Sequence, residues 1–224
     1  AEYDGDSYGF DYLPSFFSVW KKYVLDAEES PERILVDVPI GLRNDGEPRE
    51  CDTEARKRVR SSTVYPTPSR PAVYESTYEE AKERNENVTG GTSLSTQTWA
   101  ITPFIRELDE IFDEYEAAKG VIRESHPELC FWALKGERVE TKKNTQEGYQ
   151  ERVRILEGVE DEVGNVAERA VQRYEGGGGA SGVSNDDVLD ALVLAVTARG
   201  ELDTFPDIPP TDARGLAMEI VFRC

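Results

Sequence analysis

Ile34-Leu35-Val36-Asp37-Val38-Pro39-Ile40-Gly41-Leu42 is the most strand-like run in the chain, and a carboxylate sits inside it. A stretch this short and apolar, closed by Pro and Gly, reads as a strand over 34–38, buried on both faces of a mostly parallel sheet. An unpaired charge is costly to bury, so Asp37 needs an explanation. Ligands of open α/β sheets bind beyond the carboxyl ends of the strands, where Asp37 and the Pro-Ile-Gly turn emerge.

Upstream, Pro14 to about Glu28 reads as a helix whose buried stripe is Phe16, Phe17, Val19, Trp20, Tyr23 and Val24. The opening Ala1–Phe10 places aromatic residues around Asp4-Gly5, a hairpin signature. So few residues precede the turn that only half of the hairpin is expected here, with a strand upstream of Ala1. Downstream, Arg49–Arg60 looks helical, Ser61–Pro71 is a Pro- and Ser-rich loop, and Tyr74–Asn85 is a polar helix ended by Gly90-Gly91. From Pro103, a residue suited to a first helical turn, Phe104, Ile105, Leu108, Ile111, Phe112 and Tyr115 recur at helical spacing.

Val121–Glu124 reads as a short strand leading into a helix over Pro127–Leu134 that turns Leu129, Phe131 and Trp132 inward. Residues 144–174 read as charged helices, Gly176–Gly179 as a flexible break, Ser184–Arg199 as a helix and Ala217–Phe222 as a final strand. Alternating strands and helices argue α/β, and 224 residues suffice for one domain over 1–224.

The formal charge of −19 arises from 45 acidic against 26 basic residues, the latter 18 Arg and 8 Lys. Few lysines and many carboxylates fit a halophilic source; a merely acidic mesophile protein is the other reading. Such charge bears on solubility, not fold. It repels nucleic acid, so a partner of that kind needs a local basic patch or bridging metal ions. Ala55–Ala72 offers the patch, with Arg56, Lys57, Arg58, Arg60 and Arg70 and no acidic residue; a solvated helix end and loop is the alternative. Cys51, Cys130 and Cys224 lack metal-ligand spacing and are odd in number, which points to a reducing cytoplasm. No segment is apolar and long enough to span a membrane, and no leader opens the chain, so a soluble, cytoplasmic protein is expected.

The run Ser184–Val196 is apolar nearly all round after its first turn and should be buried. Asp187 and Asp190, three apart, share one of its faces. Asp186 and Asp187 can be explained as residues complementing a helix N-terminus, whereas Asp190 lies beyond the first turn. Together with Asp37 they offer hard oxygen donors of the kind Mg²⁺ or Mn²⁺ prefers, against structural hydrogen bonding as the alternative. Glu124-Ser125-His126-Pro127-Glu128 adds a second strand-to-helix turn. The lone His126 is a general base, a ligand or a local hydrogen-bonder, and Glu128 favours its helix N-terminus. Neither a phosphate-binding G-x-x-x-x-G-K-[ST] loop nor a G-x-S-x-G or H-E-x-x-H motif occurs.

Five strings, Leu35–Leu42, Arg49-Glu50-Cys51-Asp52 with Ala55-Arg56, Gln97–Ile101, Glu124–Glu128 and Asp186–Leu192, resemble in order those of domain-of-unknown-function family 429, regarded as predicted nucleases with an RNase H-like fold. The resemblance implies a mixed central sheet flanked by helices, with insertions at about 43–118 and 136–175. The closing helix of the Holliday-junction resolvase branch bears Asp-x-x-Asp-Ala-Leu, matched by Asp187, Asp190, Ala191 and Leu192, and its central-strand carboxylate corresponds to Asp37. The first-strand Asp of that branch has no match here, so the first strand is expected to be missing from this chain.

The expectation is therefore a divalent-metal-dependent nuclease hydrolysing phosphodiester bonds of nucleic acid, with Mg²⁺ or Mn²⁺ held by Asp37, Asp187 and Asp190. Glu124 or His126 would assist proton transfer, and Arg43, Arg49, Arg56 and Arg60 would hold phosphates. The alternative is a non-catalytic nucleic-acid- or protein-binding module on the same fold. By analogy with branched-junction enzymes, a homodimer is possible.

Overall fold

The computed structural model describes residues 1–175 and 182–224, so the expected break at Gly176–Gly179 lies outside the described residues. In chain order the elements are β1 (Glu2–Tyr3), β2 (Tyr8–Gly9), α1 (Phe16–Trp20) running on into a π-helical turn (Lys21–Leu25), β3 (Ile34–Val36), α2 (Glu50–Arg58), α3 (Arg70–Val73) and α4 (Tyr78–Thr89). There follow α5 (Thr96–Glu114), α6 (Ala118–Val121), β4 (Ile122–Glu124), α7 (Pro127–Lys135), α8 (Gln146–Glu157), α9 (Val163–Glu175), α10 (Asn185–Ala198), β5 (Leu202–Phe205) and β6 (Ile220–Arg223). The fold is α/β, with the described strands arranged as three two-stranded sheets, β1–β2, β3–β4 and β5–β6. The chain forms two compact units, one of Leu13–Glu124 and Thr204–Val221, the other of Ala1–Tyr12, Ser125–Asp203 and Phe222–Cys224.

In the Leu13–Glu124 unit, β3 and β4 run parallel, with Ile34 opposite Ile122 and Val36 opposite Glu124. The strand is shorter than the sequence suggests because Pro39 lacks an N–H for a ladder and the chain must turn at Gly41, whose φ is +73°. A side chain at Gly41 would also meet the Ala217 carbonyl oxygen at 2.9 Å. Asp37 thus lies in a bend just past the strand and is exposed, a correction to the reading of a charge inside a buried strand. The core beneath includes Trp20, Val36, Val38, Ile40, Leu42, Ile105, Leu108, Ile111 and Phe112, with Tyr115 packed partly buried against it; of the expected α5 stripe only Phe104 is turned out to solvent.

Two helices begin elsewhere than expected. The polar helix starts at Tyr78, where Thr77 and Glu80 form a reciprocal capping box, and ends at left-handed Gly90. The helix α5 starts seven residues before Pro103, at Thr96, because Ser95 Oγ accepts the Thr98 N–H at 3.0 Å. Pro103 therefore sits inside the helix and cannot donate to the Trp99 carbonyl. The buried Thr102 hydroxyl donates to that oxygen instead, at 2.9 Å.

In the other unit, β1 and β2 pair antiparallel, Glu2 with Gly9 and Tyr3 with Tyr8, so both arms of the hairpin lie within the first ten residues. This corrects the expectation of half a hairpin. The Arg199 guanidinium stacks over Tyr3 at 3.7 Å from the ring centroid and bonds Glu160 and Tyr8. The helix α10 buries Val188, Leu189, Leu192, Val193 and Val196. Arg152 of α8 grips Glu128 at the start of α7 with bonds of 2.9, 2.7 and 2.8 Å, both side chains being buried.

Candidate functional site

The parallel register fixes the first relationship. Val36 pairs with Glu124, so Asp37 and Glu124 arrive at the same, carboxyl, end of two adjacent strands. They then part in environment: Asp37 is exposed, whereas Glu124 is 5% exposed and turned inward. The Glu124 carboxylate accepts the Ile40 N–H at 2.6 Å and both Nη groups of Arg49 at 2.7 Å each. Arg49 also bonds Asp52 at 2.6 and 3.2 Å and donates to the Ile40 carbonyl at 2.9 Å. One guanidinium between two buried carboxylates neutralises only one of them. Burial accordingly pushes Glu124 up to about 7, although Arg49 pulls the other way. Burial also acts to lower Arg49, but Asp52 and Glu124 outweigh it and hold the guanidinium charged.

A second buried network holds the same loop two residues on. Arg70 bridges Asp109 and Asp212, and Asp212 accepts N–H groups from Leu42 at 3.0 Å, Leu216 at 3.0 Å and Arg214 at 2.8 Å. Burial acts to raise Asp212, but these donors outweigh it and keep the carboxyl below its ordinary value. The loop after Asp37 is thereby gripped at Ile40 and at Leu42, and its backbone is fixed by charge-assisted bonds. Sequence reasoning missed Asp52, Asp109 and Asp212. Asp52 stands in a quoted string, but nothing local distinguishes Asp212 from a loop residue.

His126, Asp187 and Asp190, the other expected catalytic residues, belong to the unit that contains Ser125–Asp203. His126 is the N-cap of α7, with its carbonyl accepting the Leu129 and Cys130 N–H groups at 2.9 and 3.0 Å. Asp187 is exposed and engaged in a capping box, accepting both the N–H and the hydroxyl of Ser184 at 2.8 Å. Asp190 is half-buried rather than buried, and accepts a hydrogen bond from Lys143 Nζ at 2.9 Å. Burial acts to lower the Lys143 ammonium, but Asp190, and then Asp186 and Glu128, outweigh it and raise it.

Of the four expected phosphate-binding arginines, Arg43, Arg49 and Arg56 line one cavity of about 180 Å³ in the Leu13–Glu124 unit. Arg60 is not among its lining residues; its carbonyl accepts the Thr63 N–H and hydroxyl in a turn. A wider cavity of about 360 Å³ in the same unit is lined by Ile40, Lys119, Arg123, Glu124, Leu216 and Glu219, among others. There Arg123 and Glu219 form a two-pronged pair at 2.8 and 2.8 Å.

Of the three carboxylates expected to hold a divalent ion, Asp37 is exposed, Asp187 accepts its two cap bonds on Oδ2 alone, and Asp190 Oδ2 faces an ammonium, while Glu124 beside Asp37 is engaged by Arg49 and Ile40. Within neither unit do three or more His, Cys, Asp or Glu side chains gather as a metal-binding group among the described residues.

Short parallel strands among helices, with carboxylates delivered to the strand ends and a clamped loop beyond, define an α/β protein whose distinctive chemistry lies at the carboxyl edge of β3 and β4. The chain belongs to DUF429, a family described as protein of unknown function, whose model matches residues 13–211. No curated protein and no solved structure matches it. No helix among the described residues is long and apolar enough to cross a membrane.

Proposed function

We propose that this chain acts on nucleic acid as a phosphodiester hydrolase of RNase H-like descent, with Asp37 as the carboxylate at the site of reaction. The observation that carries the reading is the joint arrival of Asp37 and Glu124 at the carboxyl ends of a parallel strand pair, with Asp37 exposed beyond it. The loop that follows is held by Arg49 and Asp212, a support that fixes a reactive carboxylate well. The family itself is described only as of unknown function; the strings that carry the resemblance include Asp37 and Glu124. Mg²⁺ or Mn²⁺ enters only as a condition to be varied.

One observation favours the second reading, a nucleic-acid-binding module without cleavage: Glu124, Asp187 and Asp190 all have side-chain or backbone partners already. Labelled single-stranded, duplex and branched DNA and RNA, incubated with the protein in Mg²⁺, in Mn²⁺ and in chelator, separate the two. Cleavage that Asp37→Asn abolishes supports the hydrolase. Binding by fluorescence anisotropy with no cleavage under any condition supports the module, and absence of both overturns the nucleic-acid reading.

A further inference from the structure

The 180 Å³ cavity carries more than the arginines that line it. Ser69, one of its lining residues, is 3% exposed, and its backbone N–H donates to Asn85 Oδ1 at 2.8 Å. Its hydroxyl is buried with no hydrogen-bond partner among the described residues. Arg56, on the same cavity, donates from Nε to the Val64 carbonyl at 3.1 Å, but its Nη2 is likewise buried and unpartnered. Buried polar groups without partners are costly and uncommon, and two on one small cavity need an explanation.

The other arginines and the Asp52 carboxylate on that wall are already engaged, and the one further carboxylate that lines the cavity, Glu47, is exposed. Arg43 is locked onto Asp45 by bonds of 2.7 and 2.6 Å, and Arg49 onto Asp52 and Glu124. The Thr67 hydroxyl is given to Asp52 at 2.7 Å, which completes that carboxylate. Arg56 is therefore the cation of the three arginines with no carboxylate partner among the described residues. What is left over is one guanidinium nitrogen, which can only donate, and one hydroxyl free to rotate its hydrogen toward an acceptor. In a chain of net charge −19, an unmatched cationic donor set marks a place where an anion is wanted.

We infer that this cavity is an oxyanion subsite in which Arg56 and Ser69 jointly bind a phosphate group. The ligand class follows from size as well as charge. A cavity of 180 Å³ falls below the roughly 300 Å³ at which pockets enclose whole drug-sized molecules, so it takes the phosphate and leaves the rest of the ligand outside. Guanidinium and hydroxyl donors match phosphate oxygens. The phosphate is either free, or a monoester, or part of a nucleic-acid strand, and those sources share the same contacts. The inference requires no cleavage and so stands apart from the hydrolase reading.

The test uses the full chain and inorganic phosphate, followed by calorimetry and by the ¹H–¹⁵N signal of the Arg56 side chain. Phosphate is expected to bind saturably and to shift that signal. Arg56→Gln should abolish binding, Ser69→Ala should weaken it by about tenfold, and Arg84→Gln, exposed on α4 and outside the cavity, should leave it unchanged. Arg56→Lys, which keeps the charge but loses the second nitrogen, should bind measurably more weakly than the parent and guards against a folding defect in Arg56→Gln. A 5′-phosphorylated oligonucleotide that competes with phosphate assigns the nucleic-acid source. Phosphate binding without such competition assigns a free or small-molecule phosphate and leaves the inference intact. Absence of saturable binding, or binding that survives Arg56→Gln, overturns it and leaves the two donors to bound water.

Discussion

Arg49 and Glu124 meet through two parallel bonds of 2.7 Å, buried at the carboxyl ends of β3 and β4, and Arg49 also carries Asp52. Removing the guanidinium leaves two buried carboxylates with no cation between them. Arg49→Met is therefore expected to destabilise the protein by about 3–5 kcal/mol at pH 8, the cost of breaking a buried ion pair from one side. The loss should shrink at pH 5, where the abandoned carboxyls can take up protons. Arg49→Lys restores charge without the fork and should fall between. Urea unfolding at the two pH values measures all three proteins, and a loss equal at both would contradict the account.

Glu124 also gives the fold a pH dependence whose sign can be worked out. Burial lifts its carboxyl from 4.5 to about 7, so between those values the folded chain holds a proton that the unfolded chain has released. The group contributes stability that is fully present below about 4.5 and is lost as pH rises through about 7. The span amounts to roughly 3 kcal/mol at most. Carboxyl ¹³C titration should show a midpoint near 7, and Glu124→Gln should flatten the stability profile across that window. A Glu124 midpoint at or below its ordinary value would refute it.

What could be read from the sequence and what could not divides along physical lines. The apolar stripe of α5, the α10 run and the Pro127 helix start were legible because periodicity and capping are local signals. The length of β3 was not, because Pro39 and Gly41 end the strand through a loop held by Glu124 and Asp212, residues 84 and 170 positions away from the amides they accept. Asp187 was legible in its bland sense, as a cap residue, and Asp190 found a partner in Lys143 that no spacing rule supplies. Leu202–Phe205 went unread because a four-residue strand beginning with Leu and Asp carries little pattern. The arginines Arg43, Arg49 and Arg56 came from one basic stretch and its neighbourhood, and they share a cavity because α2 and the flanking loops bring their stems together.

Glu128 was expected to do no more than favour the start of its helix, yet it anchors α8. Arg152 is 2% exposed and sends three bonds to it. Glu128→Ala leaves that guanidinium in the interior with only carbonyl oxygens, of which Gly148 lies at 3.0 Å, and is expected to cost about 3–5 kcal/mol. Hydrogen exchange should show the loss concentrated in Gln146–Glu157. The neighbouring Lys135–Glu151 pair is more open, so Glu151→Ala should cost no more than about 1 kcal/mol. If the two variants lose similar stability, burial is not what gives the Glu128 contact its weight.

The hydroxyl of Thr102 substitutes for the amide hydrogen that Pro103 lacks, and this makes the two residues energetically dependent. In the parent chain Thr102→Val leaves the Trp99 carbonyl without its 2.9 Å donor, at a cost of about 1 kcal/mol or somewhat more for a fully buried group. In Pro103→Ala the backbone N–H of residue 103 returns to that carbonyl, and the hydroxyl becomes redundant. Thr102→Val in the Pro103→Ala background should then cost markedly less, so the double-mutant cycle closes with a coupling on the order of 1 kcal/mol. Thermal and urea unfolding of the four proteins supply the cycle. Strict additivity would mean that the hydroxyl does not stand in for the missing amide, and that the helix tolerates Pro103 by bending its carbonyl toward solvent instead.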